Sequence, residues 1–443
     1  MAARNHASNE ALRALHKEAR WTNHNFSAAV NRVAAEAGVV LSYDRTTVSH
    51  WLSGSRPRTP VPAFVAEAFS RRLGRPVSEV ETGMASPQAD RAVLPPEGVG
   101  VRDLGGLVLA DLDPTRRVLL REQPFRLDWA VAPEWPASPD LPRVALGPAE
   151  RGILAGVGAM TSAFITADRS FGGGHARFAL TAYLASDVAV WLRAHRMERS
   201  GGALLSAAAK LVHLTGFMCF DDLHHHLAQR YFRMALELTA QAGDPLGHAA
   251  VLRSMSAQAS FLGHHRQAAA MVEAALTRAG RHAPPDTLAE LLGQAAVAHA
   301  ALANRDDALT RLTQAEKHLD STDGTRQFDE PTARANLTHH TGQVLALLGN
   351  RAAAQSAWRA SLRHRPTDQR RSRMITTHHL AESHLRRDRV EQACTTWQGF
   401  LDEYPYIHSA RMDSAYRSFL RQLRLHRNNT SARHILDQAG SVP

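Results

Sequence analysis

One pattern in this sequence limits the possible folds more than any other, and it returns at intervals of about 40 residues. A small residue is followed four positions on by a large apolar one, and seven positions on usually by a second small one. It reads Ala228, Phe232, Ala235, then Ala268, Val272, Ala275, then Ala308, Leu312, Ala315. Further copies are Ala354, Trp358, Ser361, then Ala393, Trp397, Phe400, and a weaker Ala432, Leu436, Ala439. The first members lie 40, 40, 46, 39 and 39 residues apart. Positions i, i+4 and i+7 share one face of an α-helix. Small side chains there let a neighbouring helix approach closely, and the large one fills the gap. Gly216 and Gly342 stand twelve residues before the first members of the first and fourth copies, and Pro366 and Pro405 twelve after those of the fourth and fifth. Proline stops a helix because it lacks the amide donor and its ring clashes with the preceding turn. A chain built this way stacks helix upon helix.

The rest of the chain from about 148 onward is Ala- and Leu-rich with helical periodicity and no strand pattern, so the expected fold class is all-α. Residues 85–147 differ. They are crowded with Pro and Gly, including Pro95, Pro96, Gly105, Gly106, Pro114, Pro124 and Pro133. That composition predicts a linker, one that lies partly against the next domain because Leu107-Val108-Leu109 and Val118-Leu119-Leu120 are apolar. Residues 1–84 read as short helices with sharp stops. The expected domains are therefore 1–84, a linker 85–147, and a helical array 148–443.

Composition excludes several classes. The only cysteines, Cys219 and Cys394, rule out a disulfide framework and suit a reducing cytoplasm. No apolar run approaches the roughly 20 residues that cross a bilayer, and Met1 to Glu10 has no apolar core of a signal sequence. A cytoplasmic chain with no membrane partner is expected. The formal charge of +10 suits a polyanionic partner, but Arg replaces Lys almost throughout, which raises basicity for compositional reasons alone. Gly172-Gly173-Gly174 lacks a following Lys-Ser/Thr, so it reads as a turn and not a phosphate loop. The 25 histidines include His224-His225-His226 and the pairs at 264, 339 and 378. Adjacent histidines point to different sides of a helix and chelate poorly, and no HExxH or Cys-x-x-Cys is present. No metal, cofactor or catalytic residues are expected, and the chain does not read as an enzyme.

The sharpest local motif is Asp44-Arg45-Thr46-Thr47-Val48-Ser49-His50-Trp51-Leu52-Ser53-Gly54. Asp44 is a good N-cap and Gly54 a good terminator. Val48, Trp51 and Leu52 form the inner face. The outer face shows Arg45, Thr46, Thr47, Ser49, His50 and Ser53, side chains that reach base edges in a major groove. Arg56 and Arg58 follow and suit phosphate contacts. Helices are also expected over Ala11–Ala19, Phe26–Ala37 and Pro62–Leu73.

This N-terminal set resembles the lambda-repressor-like, XRE-type helix-turn-helix family, through Thr47 to Pro57. Its turn is longer, because Gly38 precedes Val48 by ten residues where the compact motif has six. The array resembles tetratricopeptide repeats over about residues 205–440, with a period longer than that family's. The combination is similar to the peptide-responsive RRNPP superfamily. It is closer to actinobacterial regulators of the same layout, in which segments like Phe171 to Arg177 and Leu227 to Phe232 recur. These resemblances imply a sequence-specific DNA-binding regulator, a homodimer on double-stranded operator DNA. Its array senses a peptide, as in quorum sensing, or a protein or small-molecule effector. In tetratricopeptide arrays the first helix of each repeat lines a concave wall. Carried onto this chain, the wall positions are Lys210, His213, Arg253, Glu290, Asn336, His339, Gln343, His378 and Glu382. Asn336 matches the asparagine that clamps a peptide backbone in the peptide-responsive family. The same residues also read as ordinary solvent-facing helix positions. A scaffold that recruits proteins without reading DNA is the alternative function.

Overall fold

The structure, a computed structural model, describes residues 8–85, 101–135, 147–194, 201–280, 283–321 and 330–440. It is all-α, with no strand among the described residues and helix pairs stacked as a solenoid. The N-terminal bundle comprises α1 (Glu10–Glu18), α2 (Asn23–Glu36), α3 (Arg45–Leu52) and α4 (Val61–Leu73). Asn9, Thr22 and Asp44 cap the first three through their side chains, each satisfying amides that the first turn leaves open. Val61 through Ser70 are all buried, so α4 is the bundle's central post. Phe26 packs on Phe69 at 4.8 Å and on Trp51 at 5.9 Å, and Trp21 stacks on Phe26 at 5.5 Å. Trp51 is a core residue, as its spacing from Val48 predicts.

Part of the segment expected to be a linker is folded. Within 101–135 lie α5 (Val101–Leu112), α6 (Pro114–Arg121) and a 3-10 turn, Leu127–Trp129. Leu104, Leu107, Val108, Leu120 and Phe125 are buried in the same core as the array's first helices. The proline content misleads because Pro114 occupies the first turn of α6, where the missing amide costs nothing and Asp113 caps the helix. Residues 86–100 and 136–146 lie outside the described residues.

The array opens with α7 (Pro148–Phe171), α8 (Gly173–Tyr183), a π-turn over Leu184–Val188 and α9 (Ala189–Ala194). Six helix hairpins follow. They are α10 (Gly201–Asp221) with α11 (His225–Ala242), α12 (Pro245–Phe261) with α13 (His265–Ala279), and α14 (Pro285–Ala301) with α15 (Arg305–Asp320). Then come α16 (Glu330–Leu347) with α17 (Arg351–His364), α18 (Arg370–Leu385) with α19 (Val390–Glu403), and α20 (Ala410–Leu423) with α21 (Thr430–Gly440). The repeated pattern falls on the second helix of every hairpin, and its members are buried apart from the half-buried Leu436. The spacing has a contact behind it. A Cβ added to Gly216 would sit 2.7 Å from the Phe232 ring, and one added to Gly342 would strike the Trp358 indole.

The array curls until its two ends meet. The α7–α8 corner docks on the loop before α20: His408 donates its amide to Phe171 O at 2.7 Å, and Gly174 donates to His408 O at 2.9 Å. Gly172 has φ +87°, and a Cβ on Gly173 would approach Met218 O to 2.7 Å. The glycine triplet therefore serves backbone crowding at a turn. Among the described residues one segment, Gly202–Asp221, is long and apolar enough to cross a membrane. More than half of it is buried, in α10, against α7, α8 and α11.

Candidate functional site

Two surfaces carry the residues singled out by sequence. The first is the outer face of α3. Asp44 accepts hydrogen bonds from the Thr46 and Thr47 amides at 3.0 and 2.9 Å. The Thr47 amide and hydroxyl, then Thr46, hold its carboxyl below the usual range. The long turn before α3 is pinned by Asn31 of α2, whose carboxamide donates to Tyr43 O at 2.9 Å and accepts from Tyr43 N at 3.1 Å. Tyr43 then meets Trp51 edge-on at 5.0 Å. The turn is long, but its end next to α3 is held.

Arg45, Thr46, Ser49, His50, Ser53, Arg56 and Arg58 are exposed, and Thr47 is half-buried. Three hydroxyls are engaged. Thr47 Oγ1 donates to Asp44 at 3.0 Å, Ser49 Oγ to Arg45 O at 3.1 Å, and Ser53 Oγ to Ser49 O at 2.9 Å. Ser49 also accepts from Asn23 at 3.0 Å. Arg45, His50, Arg56 and Arg58 make no side-chain hydrogen bond or ion pair among the described residues. The free charge of this face is thus carried by Arg45 at the start of α3 and by Arg56 and Arg58 in the segment after it.

The second surface is the face formed by the first helix of each hairpin, which the tetratricopeptide resemblance casts as an inner groove. Its predicted residues form bridges between successive hairpins. His213 on α10 is hydrogen-bonded to Ser254 on α12 at 2.8 Å. Asn336 on α16 donates to Glu290 on α14 at 3.0 Å, and Glu290 pairs with Arg253 on α12 at 3.6 Å. His339 is hydrogen-bonded to Thr376 on α18 at 2.9 Å. His378 lies 3.9 Å from Glu382, which accepts from Gln422 on α20 at 3.0 Å. Lys210 is exposed and Gln343 half-buried, and neither joins these bridges. The imidazoles are held neutral. Burial pushes His213, His340 and His379 down to about 3, with nearby cations adding to the effect. Burial and then His379 push His339 well below its usual value.

Sequence reading missed the charges that close the groove. Arg371 on α18 reaches Asp168 on α7 at 2.8 Å and lies 3.9 Å from Asp221 at the end of α10. Arg411 on α20 approaches Asp221 at 3.7 Å. The guanidinium groups lie over Phe217 and Phe220 at 4.8 and 4.6 Å from the ring centres. Burial pushes Asp168 up to about 6, with Arg371 acting in the opposite sense.

A bracket joins the bundle to the array. Gln229 on α11 grips the backbone of Arg126, accepting from its amide and donating to its carbonyl, both at 2.8 Å. Glu67 on α4 accepts from Leu127 N at 3.1 Å, and Arg71 donates to Phe125 O at 3.1 Å while pairing with Glu36 and Glu67. Burial raises Glu67 to about 7 against the pull of Arg71.

A family model described as the SP15 N-terminal domain matches residues 12–85, the span of the bundle from within α1 to just beyond α4. A comparison with curated proteins found no match.

Proposed function

We propose that this chain is a cytoplasmic, DNA-binding transcription regulator. The bundle lays α3 in the major groove, and the array holds an effector in its inner groove. The observation that carries this reading is the α3 face. Arg45, His50, Arg56 and Arg58 project from a closed bundle with no intramolecular use among the described residues, beside short polar groups suited to base edges. Two copies would read paired half-sites, because one such helix gives little affinity alone. The bracket of Gln229, Glu67 and Arg71 supplies a physical link by which groove occupancy reaches the bundle.

The test is selection of duplex DNA from a random pool by the full chain, followed by sequencing. The reading expects an enriched motif of paired half-sites, lost when Arg45 and His50 are both replaced by Ala. No enrichment, with protein partners captured instead, supports the scaffold alternative. One observation favours that alternative. Residues 1–84 carry eleven Lys and Arg against seven Asp and Glu, a net of only +4.

A further inference from the structure

Arg365 lies just past the end of α17 and is only 6% exposed. Its one side-chain hydrogen bond runs from Nη1 to Gln369 Oε1 at 3.1 Å, and its buried Nε has no partner. No carboxylate among the described residues lies within ion-pair reach of it. An unpaired buried cation is costly, because desolvation is not repaid by a counter-charge. The side chain is nonetheless held in place. Gln369, which stands just before α18, donates to Thr332 in the first turn of α16 at 2.7 Å, so the guanidinium's partner is itself held.

The surrounding cations do not find enough carboxylates. Arg371 is occupied by Asp168, Arg253 by Glu290, and Arg411 shares Asp221. Arg373 donates to Leu362 O and Arg365 O, both at 3.1 Å, so it adds charge without adding a counterion. Arg411 Nε is buried and unbonded like Arg365 Nε, and one Asp221 oxygen is also without a hydrogen bond. These groups act on one another across the groove. Burial, then Arg373, Arg169 and Arg371, bring Arg365 down to about 10, and Arg365 contributes to keeping His339 and His340 neutral.

We infer that this end of the inner groove, centred on Arg365, is an anion site that takes the carboxylate or phosphate group of the effector. A guanidinium fixed by its own hydrogen bonds, with an unused N–H, is prepared for an oxyanion in a way a solvated lysine is not. The neutral imidazoles and the Asn336–Glu290 pair along the wall would then meet the uncharged part of the ligand. This inference rests on the reading of the groove as the effector site.

The experiment uses the full chain and two probes, inorganic phosphate and acetate. Each is titrated against chloride at fixed ionic strength while the melting temperature is followed. A ligand that binds only the folded state raises it saturably. The wild type is expected to show a saturable rise with at least one oxyanion and none with chloride. Phosphate alone or acetate alone identifies the preferred group. Arg365→Gln is expected to abolish the saturable rise, and to melt higher than wild type without oxyanion because the unpaired charge is gone. Arg365→Lys should retain a weakened rise. Equal responses of wild type to all three salts, or a saturable rise that survives in Arg365→Gln, would overturn the inference. A response of DNA binding to cell extract that Asn336→Ala abolishes, with no oxyanion effect, would overturn the anion site and leave the groove reading standing.

Discussion

The α3 face and the inner groove both display charge, but they keep it in opposite states. On α3 the cations are solvated, and Arg45, Arg56 and Arg58 have no counter-charge within the described residues. In the groove Arg371 and Asp168 are enclosed and paired, Arg253 pairs with a half-exposed Glu290, and Glu382 accepts a hydrogen bond from Gln422. A solvated cation costs the fold nothing to keep and gives long-range, salt-sensitive attraction. An enclosed charge is expensive, and its partner must be held in place. Under the proposed function the difference would give the two surfaces different work: one would meet a large polyanion from outside, and the other, which holds the array's ends together, would admit a small ligand.

The largest expected effect comes from breaking an enclosed pair. Arg371→Ala leaves Asp168 buried without its cation and should destabilise the protein by about 3–5 kcal/mol. Urea denaturation measures this. Replacing both partners, Arg371→Met with Asp168→Leu, should cost much less, because no charge is stranded. If the single and double variants lose the same stability, the pair is not what closes the array.

Acid should reveal the same enclosure. Histidines 213, 224, 225, 340 and 379 are all pushed down to about 3, and His248 and His264 to about 4, burial being the first cause of each. The unfolded chain takes up protons at about 6.5, so it binds more protons than the folded state below that pH. Stability is complete above about pH 6.5 and is lost as pH falls toward 4. Glu67 at about 7, and Asp168 and Asp222 at about 6, act oppositely, favouring the folded state at low pH. They are fewer than the histidines, so the net trend is loss. Melting temperatures from pH 8 to 4.5 test it, and a flat profile would mean the groove is open to water.

Glycines sharpen the contrast between seams and surfaces. Gly216→Ala places a Cβ 2.7 Å from the Phe232 ring and should cost about 1–3 kcal/mol by overpacking. Gly156 on α7 is exposed with nothing within 4 Å, so Gly156→Ala should stabilise by about 0.5–1 kcal/mol through helix propensity. Thermal melts of both variants decide whether the hairpin register is right. The smallest stability change belongs to Arg56→Ala, which should leave the urea midpoint where it is.

The hairpin seams were legible in the sequence because they are local. Ala228, Phe232 and Gly216 lie within one hairpin, and their spacing encodes the contact. The α3 helix was legible for the same reason, through Asp44, Val48 and Trp51. Asp168 and Arg371 were not, since 203 residues separate them and no periodicity links an end of α7 to α18. Helices α5 and α6 were hidden by Gly105, Gly106 and Pro114, residues that read as loop until burial shows what they pack against. The groove positions could be named from a repeat register, but their bridges, such as Asn336 to Glu290, depend on how far the array curls.

The central claim is that the α3 face meets nucleic acid, and salt dependence tests it most directly. The full chain is titrated with random-sequence duplex DNA at a series of salt concentrations. Each phosphate contact contributes a slope of about −0.9 in log affinity against log salt. The wild type should weaken steeply with salt. Arg45→Ala, Arg56→Ala and Arg58→Ala should each flatten the slope by about one contact's worth, while Arg305→Ala on the array changes nothing. A wild-type affinity that ignores salt, or a slope that survives all three α3-face substitutions together, would contradict the account.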